Sequence, residues 1–110
     1  MIERHHIIFK SQGGLDFHLN YIYLTHEEHR GDESPHENIE INLKYKCELE
    51  SNLRDILGKS HYTIEELIKK LLLNEEQAYK VFKKVPREPK GISREEVIKV
   101  LLGGRYYIDR

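Results

Sequence analysis

Apolar and polar positions along this chain change their period more than once, and each change marks an element. Arg4 to Phe9, with His5-His6-Ile7-Ile8 at its centre, predicts a short strand. Ser11-Gln12-Gly13-Gly14 follows as a turn, because paired glycines permit positive φ. Tyr21 to Leu24 is aromatic and β-branched and predicts a second strand. Thr25-His26-Glu27-Glu28 has the form of a capping box, so a short helix carrying His29 is expected up to Gly31. Ser34-Pro35-His36-Glu37 is a stronger start: Ser34 caps, Pro35 suits the first helical position, and Glu37 reaches back. That helix runs towards Leu57 and stops at Gly58. Ile39, Leu43, Leu49, Leu53, Ile56 and Leu57 form its apolar stripe, which suits packing on the hairpin or a helix better than a coiled coil.

Beyond Gly58 the pattern predicts three short helices. Thr63-Ile64-Glu65-Glu66 starts the first, with Ile64, Leu67, Ile68, Leu71 and Leu72 inward. Asn74 caps the second, with Ala78, Val81, Phe82 and Val85 inward, and Pro86 and Pro89 interrupt the chain after it. Ser93-Arg94-Glu95-Glu96 starts the third, with Val97, Ile98, Leu101 and Leu102 inward and Gly103-Gly104 as its stop. An α+β fold follows, divided into a hairpin with a long helix over 1–58 and a small helical unit over 59–110.

At 110 residues the chain has room for little more than one core. Its apolar runs are too short to span a bilayer, and no leader-like segment is read at its start, so a membrane is excluded as a partner. Cys47 is the one cysteine, which excludes an internal disulfide and a four-cysteine zinc site and fits a reducing cytoplasm. Cys47 itself reads as a small apolar residue of the long helix. Net charge is −1 but uneven: residues 1–46 carry five Lys/Arg against eight Asp/Glu, and residues 47–110 carry thirteen against eleven. Bulk electrostatics will not supply strong nonspecific DNA affinity, so it must come from local patches and a metal.

The candidate chemistry lies in the histidines. Six of the seven fall within the first 36 positions, and the core of the pattern is His-His-x13-Asn-x8-His over His5, His6, Asn20 and His29. A strand alternates its side chains, so His5 and His6 point to opposite sides and do not easily ligate one ion together. One can bind a divalent metal while the other serves as a base, which is hydrolytic chemistry on a phosphodiester. His18 and His26 read as solvent-facing, and His61 as a surface residue of a linker.

The segment Glu3 to His36 resembles the HNH endonuclease family, the ββα-metal nucleases. Arg4-His5-His6-Ile7-Ile8, Gly13-Gly14, Asn20-Tyr21-Ile22-Tyr23-Leu24 and His29-Arg30-Gly31 carry the resemblance, which is closest to small phage and prophage HNH proteins and covers about a third of the chain. It implies a ββα-metal hairpin-helix core, followed here by a long helix and a small three-helix C-terminal module. It further implies His5 and His29 as metal ligands, His6 as the general base and Asn20 as the residue that ties the hairpin loop and orients the base. Mg or Mn is the ion expected in function, with Zn or Ni possible as the bound ion. Many relatives place a third ligand one helical turn after the second, where this chain has Glu33. His36 is the better candidate, with Glu33 the alternative. Arg30, beside a ligand, is placed to contact a phosphate.

Residues Tyr62 to Tyr107 look like the helix-turn-helix of excisionase-type and MerR-type DNA-binding domains, through Tyr62-Thr63-Ile64-Glu65-Glu66-Leu67, Ala78-Tyr79 and Ser93-Arg94-Glu95-Glu96-Val97. That likeness makes Glu75 to Lys84 the recognition helix, with Tyr79, Lys80, Lys83 and Lys84 turned to DNA. Glu75 and Glu76 at its start oppose DNA contact but suit the helix dipole. The expected function is therefore a metal-dependent DNA endonuclease. The alternative is a non-catalytic, metal-stabilised DNA- or protein-binding module, such as a phage adaptor or inhibitor, which the near-neutral charge favours. A homodimer or a phage protein are the further partners considered.

Overall fold

The computed structural model describes residues 2–25 and 39–108. Strands β1 (Ile2–His6) and β2 (Tyr21–Thr25) form an antiparallel hairpin, with His5 opposite Ile22 and His6 opposite Tyr21. Helix α1 (Ile39–Ile56) crosses to a helical unit made of α2 (Ile64–Leu71), α3 (Glu75–Phe82) and α4 (Arg94–Leu101). Two-residue strands β3 (His61–Tyr62) and β4 (Ile92–Ser93) pair antiparallel and tie the entry of α2 to that of α4. The fold class is α+β.

The caps read from sequence are in place because capping is local chemistry. Thr63 Oγ1 accepts from the Glu66 N–H while the Glu66 carboxylate accepts from the Thr63 N–H, a reciprocal capping box. Asn74 and Ser93 accept from Gln77 and Glu96 in the same way. Four positions depart from expectation. The first strand ends at His6 rather than Phe9, because the next backbone groups are taken by a side chain described below. Leu72 turns outward, 70 % exposed, since α2 closes on it in the left-handed conformation (φ 54°), and Leu73 is buried instead. Leu43 is exposed on α1, where Lys46 is buried. His61 belongs to β3 and is half-buried, with its Nε2 3.2 Å from Glu88 Oε2, rather than lying on a surface linker.

One hydrophobic cluster takes in residues from the hairpin, α1 and the helical unit together: Ile8 and Phe17, Leu49, Leu53 and Leu57, then Leu67, Leu71, Phe82, Ile98 and Leu101. Buried polar groups reinforce the seam. The Glu50 carboxylate, fully buried on α1, accepts from the backbone N–H groups of Tyr107 (2.7 Å) and Ile108 (3.1 Å) and from Arg54 Nε (3.0 Å). Burial alone would raise its pKa; those donors outweigh it and hold the carboxyl below its usual range. Arg54 also reaches Glu95 on α4. Among the described residues, no helix is long and apolar enough to cross a membrane.

Candidate functional site

The site begins with how the hairpin loop is closed. Asn20 is fully buried and its amide makes three bonds to the loop backbone. Its Oδ1 accepts from the Ile8 N–H at 2.8 Å, and its Nδ2 donates to the Ile8 carbonyl (3.1 Å) and the Leu15 carbonyl (2.9 Å). A side chain thus replaces the next rung of the ladder. The strand pairing gives way after the Ile7 N–H bond to the Asn20 carbonyl, and Lys10–Gln12 forms a 3₁₀ turn. Of the two turn glycines, Gly13 uses positive φ (90°). Gly14 is needed for space: a Cβ there would lie 1.8 Å from the Ile8 carbonyl oxygen, the atom Asn20 holds.

Asn20→Ala would leave those three buried backbone groups without their partner, at about 1–3 kcal/mol for an unsatisfied group. A loss of about 3 kcal/mol is expected, read as a lower denaturant midpoint at unchanged slope.

The two strand histidines occupy opposite faces. His5 is buried, with its ring edge-on to Phe9 at 5.5 Å between centroids. His6 is half-buried on the other face, its ring edge-on to Tyr21 at 4.9 Å. Its Nε2 lies 2.7 Å from Asp16 Oδ1. Asp16 is the centre of a small polar network. The Tyr21 hydroxyl donates to Oδ1 at 3.1 Å, Gln77 Nε2 donates to Oδ2 at 2.7 Å, and Lys10 Nζ lies 3.4 Å from Oδ2. The Asp16 N–H donates in return to Gln77 Oε1 at 2.9 Å. The bond to His6, followed by that to Gln77, holds the Asp16 carboxyl far below the usual carboxylate range, so it is ionised at neutral pH. An ionised carboxylate only accepts. A neutral His6 in this contact therefore carries its proton on Nε2 and keeps Nδ1 as the basic nitrogen.

Asp16 and Gln77 are site residues that the sequence reading did not single out. A carboxylate in the loop between two strands was a usable signal for Asp16. Gln77 had none, since it meets the hairpin across 61 positions. Helix α3 thereby braces the loop that carries Asp16. It ends at Phe82, so Lys83 and Lys84 follow the helix rather than continue it; Lys80, Lys83 and Lys84 are all exposed. His26, His29, Arg30, Glu33 and His36, with the short helix expected at Thr25 and the start expected at Ser34, lie outside the described residues. Of the expected ligand set only His5 is described. Among the described residues, no group of three or more His, Cys, Asp or Glu side chains is arranged to hold a metal ion. Comparison with family models, with curated proteins and with solved structures finds no match.

Proposed function

We propose that the protein is a metal-dependent HNH-type endonuclease that hydrolyses DNA phosphodiester bonds. The observation that carries this reading is the pairing of His6 with an ionised Asp16 on a hairpin whose loop is tied by Asn20. A base that takes a proton from water needs a free ring nitrogen, a fixed ring and a partner for the imidazolium that forms. Asp16 provides the last two and sets the tautomer that leaves Nδ1 to act. Tyr21 packs against the ring, and Gln77 fixes the carboxylate. In this reading His5, His29 and His36 hold a divalent ion, Mg or Mn in function. The ion would polarise the scissile phosphate and stabilise the leaving 3′ oxygen. Arg30, Lys80, Lys83 and Lys84 supply phosphate contacts.

Supercoiled plasmid incubated with the purified protein tests the reading: nicking should depend on added Mg²⁺ or Mn²⁺ and stop with a chelator. A protein that binds DNA but never nicks it under any divalent ion would instead be a non-catalytic binding module.

The ligand set has its own test. His5→Ala and His29→Ala are each expected to weaken Zn²⁺ or Ni²⁺ binding in calorimetry, and to reduce the thermal stabilisation that the ion confers. His36→Ala is expected to weaken it more than Glu33→Ala. The reverse order would make Glu33 the third ligand, and unchanged affinity in the His5 and His29 variants would remove the site.

A further inference from the structure

Lys46 lies on α1 with only 6 % of its surface exposed. Lysine is almost never so buried unless it is paired, because an ammonium taken from water without a counter-charge is destabilising. Among the described residues, no carboxylate pairs with Lys46. Its neighbours are Gln12 Oε1 at 3.4 Å, the Phe9 ring centre at 5.6 Å and the Tyr107 ring centre at 5.1 Å. The Arg105 guanidinium lies 4.9 Å from the centre of the same Tyr107 ring and is exposed to solvent. Each ring face attracts a cation. Two like charges around one ring also repel. Burial, and then the charge of Arg105, push the Lys46 pKa down. Among the described residues, neither Lys46 nor Arg105 has a carboxylate of its own to pair with; the nearby Glu50 carboxylate is taken by Arg54 and by the Tyr107 and Ile108 amides.

The location of these two cations gives them a use. Lys46 and His5 flank the same Phe9 ring, on the hairpin face opposite the His6–Asp16 pair. The segment leading to Arg105 is held against the hairpin loop by close backbone approach: a Cβ on Gly103 would lie 2.5 Å from the Gln12 carbonyl oxygen. The Lys46 ammonium thus meets the Gln12 side chain directly and shares the Tyr107 ring with the Arg105 guanidinium, where three separate parts of the chain converge.

We propose that Lys46 and Arg105, with Gln12 beside them, form a binding site for a phosphate oxyanion, with Lys46 as its floor and Arg105 as its rim. The source of that phosphate rests on the nuclease reading: it is a backbone phosphodiester of bound DNA near the scissile one. A phosphate placed there offsets both charges and fixes the register of the strand relative to His5.

The test uses the 110-residue protein in EDTA, so that metal binding and cleavage play no part. The first probe is inorganic phosphate against chloride at matched ionic strength, read as melting temperature. Phosphate is expected to raise it. Lys46→Met and Arg105→Gln should each weaken the phosphate response at least tenfold. Without phosphate, Lys46→Met should melt higher than the parent protein, since a neutral chain of similar length replaces an unpaired buried charge. The second probe is a DNA duplex in a salt series, where each variant should flatten the slope of log affinity against log salt by about 0.9. No phosphate response in the parent, or the same response in both variants, would overturn the site. So would a lower melting temperature for Lys46→Met without phosphate, which would mean that the ammonium is already paired. A phosphate response lost in the variants with an unchanged DNA slope would overturn DNA as its source and leave free phosphate. Failure of the nuclease reading shows elsewhere, as absent plasmid nicking with metal present.

Discussion

His6→Ala is expected to lower metal-dependent DNA cleavage by about 10²–10⁴-fold while leaving metal affinity nearly unchanged, because a positioned base contributes a factor of that size and the base is not a ligand. The geometry sharpens the test through Asp16. Its ionised carboxylate accepts a hydrogen bond from His6 Nε2–H and leaves Nδ1 as the basic nitrogen. Asp16→Asn is close to isosteric but can turn its amide to donate to Nε2. That would move the imidazole proton to Nδ1 and occupy the nitrogen the reaction needs. Single-turnover cleavage by Asp16→Asn should therefore fall well below the parent at every pH, with the fold and metal affinity kept. If His6→Ala instead loses its metal and keeps residual cleavage, the roles of His5 and His6 are exchanged.

What was legible in the sequence is what local chemistry decides. The caps at Thr63, Asn74 and Ser93 each depend on a side chain three residues from its backbone partner, so they could be read without any tertiary knowledge. The inward faces of α2 and α4 followed from period alone, with Leu72 the exception because a left-handed terminus rotates its side chain off the face. Strands β3 and β4 were illegible for a simple reason: two residues show no period, and their pairing joins Tyr62 to Ile92 and His61 to Ser93, far apart along the chain. The end of β1 was illegible for a different one. Ile7-Ile8-Phe9 has strand composition, but Asn20 captures the Ile8 amide and carbonyl, and composition does not reveal which backbone groups a distant side chain will claim.

The candidate site divides in the same way. The spacing pattern singles out His5, His6, Asn20 and His29; the first three sit at the loop end of the hairpin, His5 and His6 on opposite faces, and His29 lies outside the described residues. The groups around them come from far along the chain. Gln77 reaches Asp16 from α3, and Arg105 shares the Tyr107 ring with Lys46. Lys46 sits where the apolar stripe of α1 gave no reason to bury a lysine. Its aliphatic stem and the aromatic rings of Phe9 and Tyr107 make that position tolerable, and the contact exists only once three segments meet.

That meeting of segments governs the second large effect. Division of the sequence at Gly58 suggests that a fragment ending there could stand alone as a metal-binding hairpin and helix. The packing points the other way. Leu49 and Leu53 of α1, and Leu57 just past its end, are fully buried in a cluster completed by Leu67, Leu71, Phe82, Ile98 and Leu101, all beyond Ser60. The fragment would also lose Gln77 from Asp16, the Tyr107 and Ile108 amides from Glu50, and Glu95 from Arg54. Removing one buried Leu side chain costs about 2–5 kcal/mol, against a total stability of about 5–15 kcal/mol for a domain. Loss of at least five such partners at once exceeds any such reserve. A chain truncated before Ser60 is therefore expected to show no cooperative thermal transition and little hydrogen-exchange protection in α1, and to bind DNA no better than an unfolded chain of its charge. A sharp melting transition in that fragment would show instead that the hairpin and α1 form a core of their own, and that the helices after Gly58 pack on a unit already folded.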